Sequence, residues 1–316
     1  MFSGFSVQAE QRGWFGKVSF QPFILGNILL GTIAVFAHEA GTDPFTTIWF
    51  RCAFGLLALT GWIAWRRQLS LLMLSRGIRL KVAAIGLLML ASWYTFFAAI
   101  ENISAGVATV LFHIQPLWVL LLSALWLKAT IEKPQIVSVL VALIGLALAT
   151  GFEKQLSEIV FDTGNLETGK TVSLSSEYWL SVSLCIAGSV CMACVTLIAK
   201  QLRDVAAGVL AWWQCAIGSV LLLIWPLVNG WPDWGYSWLW LSGLGLIHTG
   251  VAYSLIYMGM AKLSLERITV LQFIYPGIVI LLDWLVYQQR LDSMQILGVT
   301  LMVLAIGFTE YREARQ

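Results

Sequence analysis

The sequence predicts an all-α integral membrane protein, with ten transmembrane helices arranged as two inverted five-helix repeats. Three observations carry that expectation. Of 316 residues, 59% are hydrophobic and only 11% charged, against roughly 25% charged in an ordinary soluble domain. The apolar residues fall into ten long runs, and one stretch of chain repeats another about 160 positions later.

With 19 basic and 17 acidic residues, a water-facing surface could not be covered, because soluble surfaces need roughly 25 to 35% charge. Mean hydropathy of +0.81 and 16 tryptophans agree, since indole rings favour membrane interfaces. The net charge of +2 supplies no basic stripe for nucleic acid. The expected partners are the lipid bilayer and a small-molecule substrate.

Residues 1–20 are polar and read as a cytoplasmic tail, with no cleavable secretory signal before the first span. A bilayer core about 30 Å thick takes about 20 apolar residues as helix, the form that satisfies its own backbone hydrogen bonds in hydrocarbon. By that measure spans lie near 21–40, 45–65, 82–100, 104–127, 135–151, 178–199, 208–228, 238–260, 268–287 and 293–309. The first is interrupted by Asn27 and finishes in His38 and Glu39. If the amino terminus is inside, 15 of the 19 basic residues fall in cytoplasmic segments, as the short-loop Lys/Arg bias requires. Both termini are then cytoplasmic, and removing any one span would scramble the split.

The repeat is specific. At an offset of 160, Ser104, Thr109, Val110, Leu111, Ile114, Pro116, Val119, Leu121 and Leu122 match Ser264, Thr269, Val270, Leu271, Ile274, Pro276, Val279, Leu281 and Leu282. The second and seventh spans agree at an offset of 163, where Trp49, Cys52, Ala53 and Gly55 match Trp212, Cys215, Ala216 and Gly218. This divides the chain into a first repeat at 21–151, a polar non-cytoplasmic linker at 152–177 and a second repeat at 178–311. An odd number of spans per half forces the second half to enter the membrane upside down. Inverted repeats build many alternating-access transporters, with the substrate near the midplane between halves.

The chain resembles the EamA-type ten-helix exporters of the drug/metabolite transporter superfamily. The residues that carry the resemblance are Gly31 in the first span, Pro44 followed seven residues later by Arg51, and the mid-helix Pro116 and Pro276. Leu30 stands where many members have a tryptophan. The resemblance implies export of small metabolites across the inner (plasma) membrane without ATP hydrolysis, through a cavity lined by the third, fourth, eighth and ninth helices.

Pro116 and Pro276 each remove a helical hydrogen bond halfway across the bilayer. Their symmetric placement reads as a pair of hinges, with a packing kink as the alternative. At helical spacing Gln272, Tyr275, Val279 and Asp283 share one face of the ninth span, and the repeat places Phe112, Gln115 and Val119 on the matching face of the fourth. Polar groups at that depth normally face protein or a wet cavity. Trp93 and Phe97 on the third span match Tyr253 and Tyr257 on the eighth, and the resemblance points these aromatics at the cavity too.

Arg51 and Asp283 are the formal charges inside spans. Arg51 either snorkels to the interface or pairs with Glu39 or Asp283. Asp283 is expected to bind a cationic substrate or carry a coupling proton, and His113, near mid-membrane, is a second candidate for proton coupling. His38, His113 and His248 show no metal-site spacing. No cofactor is expected, and Cys191 and Cys194 read as packing residues within a span, not as a redox pair.

A literal P-loop string runs from Gly164 to Thr171, but it lacks the strand before and the helix after that would make it a phosphate cradle. Gly145 with Ala149 gives small-residue spacing that suits helix packing or a dimer seam, so both monomer and homodimer stay open. The resulting expectation is a non-enzymatic exporter of an amino acid or related amphipathic compound. Drug or nucleotide-sugar transport by the same fold is the alternative, with an intramembrane enzyme behind it.

Overall fold

The computed structural model describes residues 21–100, 102–103, 105–152, 176–286, 288 and 290–315. Nearly all of the P-loop-bearing linker, including that string, lies outside the described residues. Among the described residues nine helices are long and apolar enough to cross a membrane and one, α5, is a shorter apolar helix: α1 (Gln21–Ala40), α2 (Pro44–Trp65), α3 (Arg76–Ala99), α4 (Gly106–Leu127), α5 (Lys133–Ala149), α6 (Ser176–Gln201), α7 (Ala207–Asn229), α8 (Tyr236–Lys262), α9 (Leu265–Val286) and α10 (Ser293–Glu313). The shortest, α5, has 17 residues, which at the helical rise is about 26 Å and still close to the thickness of the hydrocarbon core.

Local chemistry sets the turns between spans. Gly41 takes a left-handed φ of 61° to end α1, a conformation that carries no steric cost without a Cβ. The Asp43 carboxylate then accepts from the Phe45 and Thr46 amides at 3.0 Å, with Pro44 in the first turn of α2. At the start of α5 the Gln135 side chain accepts from the Glu132 amide, and at the start of α10 Gln295 does the same for Asp292. These two capping boxes lie 160 positions apart, a repeat signal beyond those read from the spans.

Leu57, Leu125 and Val303 are 67%, 65% and 62% exposed, a large penalty in water but ordinary against lipid. Exposed Trp62, Trp65 and Trp126 gather near one face, and Trp179, Trp231 and Trp234 near the other, as interfacial aromatics do. The face where α1 starts and α10 ends is called the terminal face below.

The halves interlock through reciprocal contacts. A Cβ on Gly55 of α2 would meet the Cys215 sulfur of α7 at 3.1 Å, and one on Gly218 of α7 would meet the Cys52 sulfur of α2 at 2.5 Å. Gly26 of α1 lies against Ala252 and Ile256 of α8, and its counterpart Gly188 of α6 against Ser92 and Thr95 of α3. Each half thus inserts its first helix against the third helix of the other. The α5 and α10 helices cross where Gly298 of α10 meets Gly145 and Ala149 of α5. The small residues of α5 are therefore occupied inside the chain, which removes the dimer-seam reading of that motif.

The terminal face is tied by polar contacts, of which Arg312–Glu132 and Gln135–Glu266 join the two halves and the others lie within the second half. Arg312 of α10 pairs with Glu266 of α9 at 2.7 Å and with Glu132 before α5 at 2.6 Å. Gln135 of α5 donates to the other Glu266 oxygen at 2.8 Å. Lys200, at the end of α6, donates to the Met260 and Leu263 carbonyls of the α8–α9 turn.

Candidate functional site

Between the halves lies a cavity of about 360 Å³, within the usual range of small-molecule sites, about 300 to 1,000 Å³. It forms where two helices are broken. The helix of α4 stops at Phe112 and resumes at Gln115, and that of α9 stops at Leu271 and resumes at Ile274. Pro116 and Pro276 sit just past the breaks. Each lacks the N–H that would bond the carbonyl four residues back, so Phe112 and Gln272 lose their regular partners. The freed Gln272 carbonyl accepts from the Tyr275 amide at 3.2 Å instead. Interrupted helices at mid-depth are tolerated where they line a cavity.

Trp93, Phe97, Phe112, His113, Gln115, Tyr253, Tyr257, Gln272 and Tyr275 all line this space, together with Arg51. Asp283 does not, which corrects its placement on the lining face. That face was counted along an unbroken helix, and the break at Gln272 and Phe273 resets the helical phase beyond it. Asp283 sits near the far end of α9, half-buried, and Val119 is buried in a separate apolar cluster. Of His113, His248 and Asp283, only His113 reaches the cavity, so no shared acid/base constellation forms there. Among the described residues no group of His, Cys, Asp or Glu could hold a metal ion.

The polar lining is largely neutral and already oriented. His113 Nδ1 lies 2.8 Å from the Thr109 carbonyl. A carbonyl can only accept, so Nδ1 carries a proton, and in the neutral ring Nε2 is then the acceptor. The imidazole stacks on Tyr275 with ring centroids 5.8 Å apart and planes 12° apart. Gln115 donates to Thr196 Oγ1 at 3.2 Å, and Tyr257 donates to Gln214 Oε1 at 2.7 Å. Asn27 turns its amide N–H back on the Phe23 carbonyl at 2.8 Å.

Arg51 is 8% exposed and lines the cavity, which excludes snorkelling to the interface. The carboxylate pairs do not form either. Glu39 lies beside His38 at 3.5 Å in an exposed position, and among the described residues no carboxylate pairs with Arg51. Its Nε donates to Thr249 Oγ1 at 3.4 Å, and its guanidinium carbon lies 5.0 Å from the Trp93 ring centre.

The cavity also takes residues from α1 and α6, among them Asn27, Leu30, Met192 and Thr196, which sequence reasoning missed. Two signals could have found them. Asn27 is the lone amide in an apolar run, and the repeat makes α1 and α6 equivalent. Just behind the lining, α8 carries a π-helical segment from Leu244 to Val251, an irregularity frequent at functional sites. From it His248 reaches Thr32 Oγ1 at 2.6 Å, at the interruption of α1.

Toward the terminal face the lining residues Phe23, Met89, Val195 and Met260 are buried, with Leu263, Ile268 and Leu271 buried behind them. Toward the opposite face Leu30, Ile33, Ala37 and Phe97 are half-exposed. The structure is closed on the terminal side.

Comparison with known proteins gives a consistent result. A family model described as the EamA-like transporter family matches residues 22–151 and 179–311. The uncharacterized transporter YxxF of Bacillus subtilis (strain 168) is 22% identical, over 97% of this chain and 93% of that protein. An uncharacterized transporter of Archaeoglobus fulgidus is 26% identical, over 92% of this chain and 95% of that protein. One crystal structure of another protein superposes with a TM-score of 0.76 at 18% identity, covering 92% of this chain and 96% of that one, a likeness of fold. Since the two matched segments take in both five-helix halves, the chain belongs to the EamA-like transporter family.

Proposed function

We propose that this transporter exports a small amphipathic metabolite of amino-acid size across the inner (plasma) membrane. Both termini are cytoplasmic, and the two halves rock about the central cavity. The observation that carries this reading is the cavity itself. It is lined by aromatics and neutral hydrogen-bonding groups at two symmetric helix breaks and sealed on the terminal face. On this reading a cavity shut on a cytoplasmic terminal face opens outward, and its inverted counterpart faces the cytoplasm. A nucleotide sugar fits less well, because Arg51 is the one fixed cation among the described lining residues and a diphosphate calls for several. Coupling to protons falls to His113, the titratable imidazole among the described lining residues.

The test compares extracellular metabolites from cells with and without the protein, then measures uptake of each enriched compound into inverted membrane vesicles. Uptake that needs the protein is the expected result, and an unchanged metabolite profile with no uptake overturns the reading. In the same assay Gln272→Ala should reduce uptake about tenfold, the effect of losing roughly one hydrogen bond, with expression intact. Asp283→Asn, off the lining, should stay within about twofold. A large loss in Asp283→Asn alone would move the substrate path away from this cavity.

The prolines act in this scheme as hinges. Replacing Pro116 and Pro276 together by alanine restores N–H donors at both breaks. The expected outcome is slower turnover at saturating substrate with little change in the half-saturating concentration, measured in the same vesicles. Unaltered turnover would make the breaks purely architectural.

A further inference from the structure

We infer that Arg51 is the anchor for a substrate carboxylate, and that the preferred cargo is a monocarboxylate anion with a compact apolar or aromatic body. This rests on the transport reading and names the chemistry of the same cavity.

The first ground is charge balance. Arg51 keeps its charge at any physiological pH, is 8% exposed and opens onto the cavity. Among the described residues that line the space there is no Asp, Glu or Lys, and no described carboxylate pairs with Arg51. A guanidinium held at membrane depth without an anion is costly. A single carboxylate entering the cavity removes that cost, whereas a neutral or cationic ligand leaves it in place. A zwitterion brings an ammonium for which the described lining holds no acid, and a dicarboxylate brings a second anion for which it holds no second cation.

The second ground is posture. The guanidinium lies near the Trp93 ring and is held through Nε by Thr249. Thr249 Oγ1 spends its own proton on the Leu244 carbonyl at 3.1 Å, so toward Arg51 it can only accept. The π-helical segment of α8 thus steadies the arginine from behind. Planar guanidinium groups held in this way recognise carboxylates through two parallel hydrogen bonds. Tyr253 hydrogen-bonds the Arg51 side chain and Tyr275 lies within electrostatic reach of it, and both border the space where the body of such an anion would rest.

The third ground is that the two halves differ here. The repeat equivalent of Arg51 is Gln214, which is 3% exposed, does not line the cavity and accepts from Tyr257. The shared scaffold therefore accommodates glutamine at this site, and the charge in the first half is an addition that packing does not require.

The experiment uses the full-length protein in lipid nanodiscs and four probes with the same phenyl body: 3-phenylpropanoate, its isostere 3-phenylpropanamide, phenylalanine and 3-phenylpropylamine. Binding is read by calorimetry and by quenching of tryptophan fluorescence. The propanoate should bind at least tenfold tighter than each of the other three. Arg51→Gln should bind propanoate and propanamide equally, with an unfolding temperature close to that of the parent, and Arg51→Lys should recover part of the preference. Equal binding of propanoate and propanamide by the parent, undiminished propanoate binding by Arg51→Gln, or binding of none of the four overturns the inference. The two readings fail separately. Protein-dependent uptake of a metabolite that ignores Arg51 leaves the carrier intact and removes the anchor, while propanoate binding without any vesicle transport keeps the anchor and removes the carrier.

Discussion

Gly298→Leu should abolish accumulation of folded protein. A Cβ on Gly145 would already meet the Gly298 carbonyl oxygen at 2.6 Å, and one on Gly298 would run into the backbone of Gly145 and Ala149. Backbone atoms cannot rotate away as the tip of a side chain can, so α5 and α10 would have to separate along the crossing that joins the two halves. Overpacking typically costs about 1 to 3 kcal/mol and occasionally more; contact with backbone on both sides puts this case at the upper end, a large part of the stability of most proteins. Size-exclusion profiles and thermal unfolding in detergent would show it. Gly307→Leu is the matched control on the same helix, because nothing lies within 4 Å of its added Cβ and leucine favours helix over glycine. If Gly298→Leu accumulates and melts like Gly307→Leu, the close crossing of α5 and α10 is wrong.

Arg312→Ala should open the terminal face. Arg312 bridges Glu266 and Glu132, and Glu266 is only 7% exposed. Truncating the arginine leaves Glu266 with Gln135 as a neutral partner and an uncompensated charge. Losing one member of a buried ion pair costs about 3 to 5 kcal/mol. Relief by water once the face opens makes roughly 2 kcal/mol of that a bias toward the open state, equal to a shift of about 30-fold between populations. Spin labels at Lys128 and Lys262, both exposed at this face, in a cysteine-replaced background would report it as a second, longer distance that is minor in the parent. A single unchanged distance in Arg312→Ala would show that this cluster does not hold the face shut. Charge reversal at both ends, Arg312→Glu with Glu266→Arg, should restore much of the parent distribution.

These expectations draw on unequal parts of the molecule. The ten spans were legible because hydrocarbon admits only backbone that bonds within its own helix, so a composition count over about 20 residues is a physical measurement. The two halves were legible because Ser, Thr and Pro recur at a fixed offset where shared hydrophobicity cannot account for them. The aromatic and amide lining was largely legible for the same reason, since polar groups at mid-depth have few places to go. Asp283 fell outside the cavity because a helical face counted from Gln272 presumes a continuous helix, and α9 breaks at the residue where the count began. Arg51 is the converse case. Its depth in α2 was legible, but snorkelling and pairing could not be told apart without knowing that Thr249 and Trp93, about 200 and 40 positions away in sequence, meet it in space.

By itself, the sequence determined the solvent of this protein, the number of crossings and the doubling with opposite threading, since these follow from hydropathy and identity along one dimension. Tertiary structure decided which helices of opposite halves interlock, where the cavity is shut, and that the buried arginine faces it without a carboxylate. Those features arise from contacts between residues far apart in the chain. Small residues let backbones approach closely at those contacts, and no periodicity within a single helix records which distant helix will arrive there.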